Sequence, residues 1–198
     1  MDMALTGLTA IVANADCEAG EVVARGLVAE GANLRRLSAG EPVGQGAEAD
    51  IAILVLPPSP EGLLSDFPDD QALQDAWRHV GAAAELFQSV LPGMTARGSG
   101  RLIFVGPIEA KAITGRAADI DRAVGLALLG LVKAISGEVG PAGVTANSLL
   151  WDGGQTGEAR ARILDGLGAS AAYFASPLSN FLTGLTIAVD EGRYGGVF

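Results

Sequence analysis

The sequence predicts an α/β fold, with a mostly parallel sheet of about six strands and helices packed on both faces. Two observations indicate this fold. Short apolar runs alternate with longer segments of helical periodicity along the 198 residues. The clearest run, Ile51–Leu56, is apolar at every position, which is typical of a strand covered on both faces. Alternation of this kind predicts strand–helix–strand units in a parallel sheet.

Turn and capping residues separate the predicted elements. Gly31 suits the end of the first helix, and Pro92 is expected to kink or end the second. The polar, turn-rich segment Ser38–Ala49 is predicted as a loop. The predicted strands are Leu8–Val12, Asn33–Leu37, Ile51–Leu56, Arg101–Val105, Val144–Leu150 and Thr186–Val189. The predicted helices are Glu18–Glu30, Asp70–Pro92 and Asp119–Gly137, followed by two short ones, Glu158–Leu167 and Ser170–Phe174.

Length and composition narrow the function classes. A chain of 198 residues predicts a single domain spanning 1–198. Acidic residues outnumber basic ones, 23 to 13, and no Lys/Arg cluster occurs, so we expect neither nucleic acid nor an anionic membrane as a partner. The single cysteine, Cys17, excludes an internal disulfide framework, and we expect no metal site. The N terminus has no signal-peptide pattern, and the apolar stretch Ala123–Ile135 is expected to be too short to span a bilayer, so a cytoplasmic location is predicted.

Four stretches carry a resemblance to a known family. They are LTGLTAIV at the first strand, SGRLIFV (Ser99–Val105), GLVKAISGEVGPAGVTANSL (Gly130–Leu149) and FLTGLTIAVDEG (Phe181–Gly192). Together they resemble the short-chain dehydrogenases/reductases over nearly the whole length, as a degenerate, truncated member. The resemblance implies a Rossmann-like, doubly wound domain. It also implies that the family's third strand is missing where Ser38–Ala49 lies.

The resemblance places the family's cofactor loop, T-G-x-x-x-G-x-G, on the stretch ANADCEAG. Its last three motif positions fall on Asn14, Glu18 and Gly20. Gly20 is expected to let the helix pack closely on the strand. A carboxylate at Glu18 would repel a diphosphate by about 4 kcal/mol per charge pair at about 4 Å and an effective dielectric constant near 20. The loop is therefore interpreted as vestigial. We therefore expect no cofactor. NAD(P) is expected only if this interpretation of the loop is wrong.

The catalytic positions are replaced as well. The family's Y-x-x-x-K falls on Asp121 and Gly125, and its helical asparagine falls on His79. Its serine falls on Pro107 or a neighbour, Gly106 or Ile108. Hydride transfer by the family's mechanism is therefore not expected. His79 and Asp121 could form an acid–base pair, or each could have a local structural role; the second interpretation is preferred.

Five further side chains have both a functional and a structural interpretation. A charged pair before the third long helix could be an acid and its partner, but a solvated loop is preferred. A tryptophan after the fifth strand could stack on a ligand, but an indole that fills the nicotinamide space is preferred. The lone thiol is flanked by acids that oppose its ionisation. These residues are Glu109, Lys111, Trp151, Asp152 and Cys17.

The parts that match the family best are those that it uses for assembly. They are the helices 70–92 and 119–137 and the C-terminal tail. We therefore expect a catalytically inactive subunit, without independent dehydrogenase activity, that forms a dimer or joins an active homologue as a structural or regulatory partner. Two alternatives stay open. One is a cofactor-independent enzyme using His79 and Asp121, and the other is an NAD(P)-dependent oxidoreductase acting on a hydroxyacyl or secondary alcohol substrate.

Overall fold

The computed structural model describes residues 2–57, 70–111 and 119–194, without the side chains of 70–73, 75–76 and 119–121. Within these ranges, six parallel strands form one sheet in the order β2-β1-β3-β4-β5-β6. The predicted fold class is confirmed. The strands are β1 Thr9–Ala13, β2 Asn33–Leu37, β3 Ile51–Val55, β4 Gly100–Pro107, β5 Val144–Trp151 and β6 Thr186–Val189. The helices are α1 Glu18–Ala29, α2 Asp70–Arg97, α3 Asp119–Val139 and α4 Gly157–Ala175.

The sheet changes winding direction at β1. The chain passes from β1 to β2 on one side and then crosses to β3 on the other, so the carboxyl ends of β1 and β3 flank the switch point. Open α/β sheets bind ligands in the crevice at such a point. In the described part of the chain, β2 pairs only with β1, and no strand follows it before β3. The predicted loss of the family's third strand agrees with this arrangement.

Two layers of helix cover the sheet. On one face the buried core is shared with α2 and α3, and on the other with α1 and α4. Both cores are largely aliphatic, and the largest fully buried side chains, Phe87 and Phe104, lie on the α2–α3 side. These layers leave the carboxyl ends of the strands as the place where a site can form.

Two helices are longer than predicted. Of the two outcomes predicted at Pro92, a kink or an end, the helix does not end there, because α2 continues to Arg97. Met94 is fully buried, and Arg97 donates a hydrogen bond of 2.6 Å to the carbonyl of Ala49, so tertiary contacts hold the last turns. The two short helices predicted near the end form one helix, α4. Gly168 of α4 lies against Val22 of α1, and a Cβ there would come 3.2 Å from the Val22 carbonyl oxygen. Glycine weakens a helix, but here it allows α1 and α4 to pack closely, and this packing stabilises α4.

α3 is also longer than the apolar stretch noted in the sequence. The segment Arg122–Ala142, 21 residues with a mean hydropathy of 1.5, is long and apolar enough by composition to cross a membrane, contrary to expectation. Core helices of soluble proteins have the same character, and the inner face of α3 packs on the sheet through Val124, Leu128 and Val132. Only 39% of the apolar window is buried, however, so much of its outer face is uncovered.

Candidate functional site

One small pocket lined by described residues lies at the switch point. It has a volume of about 100 Å³ and is lined by Ala13 and Leu54 at the ends of β1 and β3, by Asn14, and by residues of the Ser38–Ala49 loop and α2. Pockets that hold cofactors or drug-sized ligands usually measure about 300–1,000 Å³. A wider cleft of about 490 Å³ lies between that loop and α2, but none of the candidate catalytic residues lines it.

The turn after β1 has a left-handed backbone at its first position and a close backbone approach at Gly20. Asn14 adopts a left-handed conformation (φ 59°), which asparagine tolerates better than most residues. Its amide nitrogen donates a hydrogen bond of 2.6 Å to the carbonyl of Val55, so the side chain is fixed between β1 and β3. A Cβ at Gly20 would lie 2.3 Å from the carbonyl oxygen of Asn14. This close approach explains why glycine is needed at position 20.

Cys17 caps the first helix. Its sulfur accepts a hydrogen bond from the backbone nitrogen of Gly20 at 3.4 Å, and the thiol donates to the carbonyl of Asn14 at 3.2 Å. Burial, reinforced by the nearby Asp16 carboxylate, raises the pKa of the thiol above its ordinary value. The thiol is therefore a protonated cap at neutral pH. No local pattern predicts this role, since cysteine is not among the preferred N-cap residues.

The Glu18 carboxylate forms an ion pair with Arg160 of α4. The guanidinium donates to both carboxylate oxygens, with 3.1 Å between Nε and Oε1, and it lies 5.3 Å from the centre of the Trp151 ring. The same guanidinium donates to the carbonyls of Gly153 and Gln155. The hydrogen bond that Arg160 donates to Glu18 raises the pKa of the guanidinium. Arg160 therefore ties the start of α1 to the loop after β5.

Sequence reasoning missed Arg160, which is 142 residues from Glu18 along the chain and belongs to no motif. Trp151, the last residue of β5, and Asp152, which follows it, are also not exposed. Trp151 is 4% exposed and packs in the α1–α4 core, so its ring is not offered as a stacking surface. Asp152 is fully buried and accepts hydrogen bonds from the backbone of Gly154 and the side chain of Gln155. Trp151 is therefore part of the core, and Asp152 organises the loop that follows it.

The position of the family's lysine is closed by close helix packing. A Cβ at Gly125 would lie 2.6 Å from the Cβ of Ala110, in the short 3₁₀ turn that follows β4. At the end of β4, a Cβ at Gly106 would lie 2.4 Å from the Phe104 ring. Ile108 is fully buried and Pro107 partly so. The three positions that could correspond to the family's serine therefore present no hydroxyl and little space.

The charged pair before α3 does not form a solvated loop, so that preferred interpretation is wrong for Glu109. Glu109 is 9% exposed because its turn lies under α3, where its carbonyl accepts a hydrogen bond from Arg122, while Lys111 is exposed. His79 lies on α2 and is partly buried. Asp121 lies in the first turn of α3, but its side chain is outside the described residues, so its pairing with His79 stays a prediction. Among the described residues, no three His, Cys, Asp or Glu side chains are grouped to hold a metal ion.

Comparison with known proteins supports the fold and not the sequence motifs. No protein-family model and no curated protein matches the chain. Solved structures do match. A gluconate 5-dehydrogenase from Burkholderia cenocepacia, in complex with NADP and tartrate, is 20% identical with a TM-score of 0.79 and covers 96% of each chain. An L-sorbose reductase from Gluconobacter frateurii, with NADPH and L-sorbose, is 19% identical with a TM-score of 0.82, over 98% of this chain and 99% of the other.

A third structure is described as an oxidoreductase of the short-chain dehydrogenase/reductase family, from Burkholderia thailandensis. It is 18% identical with a TM-score of 0.80, over 96% of this chain and 94% of the other. The chain has a short-chain dehydrogenase/reductase fold. The NADP and NADPH in two of these structures overturn the expectation that no cofactor goes with this chain, and they point to a nicotinamide cofactor instead.

The residues at the turn do not fit such a cofactor in the family's binding mode. Where the second glycine of the motif would leave room for the diphosphate, this chain has the Glu18 side chain, held in place by Arg160. Asn14 replaces the first glycine and is anchored to Val55.

Proposed function

We propose that this chain is a non-catalytic subunit with a short-chain dehydrogenase/reductase fold, which acts in the cytoplasm by assembling with a second copy or with an active homologue. The contact between Gly125 and Ala110 is the observation that carries this proposal. A lysine at position 125 would need its Cβ within 2.6 Å of another Cβ, on a turn that is itself buried. Such a subunit could bind a nicotinamide dinucleotide, but it would not catalyse hydride transfer with a tyrosine and a lysine.

The outer faces of α2 and α3 support assembly. Leu126 on α3 is 49% exposed and Trp77 on α2 is 47% exposed. The two helices pack against each other on the same face of the sheet, and the proposal places these two side chains in one contact surface. Large exposed apolar surfaces mark sites of protein association. The C-terminal tail stays part of the predicted contact, and its residues 195–198 lie outside the described ranges.

The charges on α2 favour a second copy. Arg78 and Glu85 are seven residues apart, which places them on the same side of the helix, and both are at least partly exposed. Gly81 and Ala82 lie midway, and no atom lies within 4 Å of where a Cβ of Gly81 would be, so another helix can approach there. If two copies of α2 pack antiparallel about a two-fold axis at this midpoint, each arginine meets the partner's glutamate.

The experiment is to measure the molar mass of the purified chain by light scattering over a range of concentrations. Arg78→Glu should weaken the dimer, and adding Glu85→Arg in the same chain should restore it, because the charge pattern is then reversed but complementary. A monomer at all concentrations would point to the active homologue, and co-expression with an intact homologue followed by sizing then decides between a mixed complex and no assembly. Absence of both complexes refutes the proposal.

A second candidate is an NADP-dependent oxidoreductase, which the NADP and NADPH of the solved neighbours favour. It predicts both NADPH binding and turnover with secondary alcohols or ketones. Calorimetric titration with NADPH, followed by assays of NADPH oxidation over a panel of ketones, separates the two candidates. Turnover by the purified chain alone refutes the non-catalytic proposal, whereas binding without turnover supports it.

A further inference from the structure

The outer edge of β2 presents unpaired backbone groups. Asn33 donates to the carbonyl of Leu8 and Leu37 accepts from Ala15, so the odd-numbered residues of this strand are bonded to β1. The alternation of a parallel ladder then turns the N–H and C=O groups of Leu34 and Arg36 outward. Among the described residues, no backbone hydrogen bond joins these outward groups to another segment.

The segment that follows β2 does not cover this edge. Val43 and Ala49 are buried in the core on the α2–α3 side, so the loop after β2 folds toward α2. Asn33, Arg35 and Arg36 are all exposed, as expected of a strand with one side open to solvent. An open edge of this kind is a template for an added strand.

The charges beside the edge are positive in a chain whose net charge is −10. Arg35 extends from the strand on the α2 side, and Arg36 on the α1 side, where it pairs with Glu21. Arg25 and Val28 are exposed on the same side of α1 as Glu21, and Val28 is 53% exposed. A second copy paired antiparallel at this edge would place arginines against arginines, which disfavours self-association.

We infer that the outer edge of β2 binds an extended acidic segment of a partner protein by strand addition. The backbone groups of Leu34 and Arg36 hydrogen-bond to the added strand. Arg35 pairs with carboxylates on one face of the added strand, while Arg36 stays paired with Glu21. Val28 contacts side chains on the other face of the added strand. This surface is separate from the outer faces of α2 and α3, so the inference does not depend on the proposed function.

The test uses the full chain and two labelled probes, an eight-residue peptide of alternating threonine and glutamate and its counterpart of threonine and lysine. Fluorescence anisotropy at low ionic strength should show that the acidic peptide binds about tenfold or more tightly than the basic one. Arg35→Glu should remove that preference. Arg193→Glu makes the same charge change beyond β6, at the opposite edge of the sheet, and should leave it unchanged.

Two further measurements test the strand-addition geometry. Amide hydrogen exchange of the wild-type chain should slow at Leu34 and Arg36 when the acidic peptide binds, and not at Asn33, whose amide is already bonded. Arg36→Pro removes an outward N–H that β1 does not use, and it should weaken binding more than Arg36→Ala, which removes the same side chain.

The inference is overturned if the two peptides bind equally or if protection fails to appear at Leu34 and Arg36. Equal binding by the proline and alanine variants would also overturn it. If Arg36→Pro does not fold, the exchange pattern of the wild-type chain decides. Protection at Leu34 and Arg36 that increases with protein concentration without peptide would identify a second copy as the occupant and overturn the acidic partner.

Discussion

The closed lysine position leads to a prediction about stability. In Gly125→Ala, the new methyl group would lie 2.6 Å from the Cβ of Ala110, and both residues are buried, so the turn or the helix must move. Overpacking of this kind costs about 1–3 kcal/mol. Replacing glycine by alanine inside a helix returns about 0.5–1 kcal/mol. We therefore expect the free energy of unfolding of Gly125→Ala to fall by up to about 2.5 kcal/mol.

Gly137 provides the matched control. It lies in the same helix, is exposed and has no atom within 4 Å of the place that a Cβ would occupy, so Gly137→Ala gains helix propensity without a clash. Comparing the two variants removes the propensity contribution and leaves the overpacking term, about 1–3 kcal/mol. The assay is urea unfolding followed by circular dichroism at two protein concentrations, so that any dissociation step is visible. Equal stability of the two variants would show that the lysine position is open and would remove the main support for a non-catalytic role.

Three further predictions concern the turn after β1. The double variant Asn14→Gly, Glu18→Gly should bind NADPH more tightly, as measured by calorimetry, since it removes the carboxylate and restores the glycines. Unchanged or weaker binding would contradict the argument that the Glu18 carboxylate repels the diphosphate. Arg160→Gln should lower the free energy of unfolding by about 1 kcal/mol, because its pair with Glu18 is largely exposed and screened by solvent; a loss several times larger would mean that Arg160 has a deeper structural role. Because burial raises the pKa of Cys17, the unfolded chain releases the thiol proton first. The stability that this thiol contributes is thus complete below the ordinary thiol pKa and lost as the pH rises through the raised one. Thermal unfolding in alkaline buffers should show this decline in the wild-type chain and a flatter profile in Cys17→Ser.

Local patterns in the sequence were sufficient for the fold and for parts of the site. The run Ile51–Leu56 predicted a central strand because a strand covered by helices on both faces needs apolar side chains at every position, and β3 is fully buried. Gly31 predicted the end of α1, and it adopts the left-handed conformation (φ 89°) that glycine favours. The loop Ser38–Ala49 was recognisable from its turn residues alone, and β2 is consequently an edge strand.

Only the tertiary structure decided which side chains meet. Arg160 and Glu18 are brought together by the packing of α4 on α1, and no local pattern reports a contact across 142 residues. α2 continues past Pro92 because the buried contacts of Met94 outweigh the intrinsic effect of proline. α4 continues through its glycines because the close approach at Gly168 outweighs the intrinsic effect of glycine. The burial of Glu109 depends on α3 crossing above its turn. Sequence by itself determined where strands and helices form, since that depends on periodicity, whereas the state of the site depends on how closely distant elements pack.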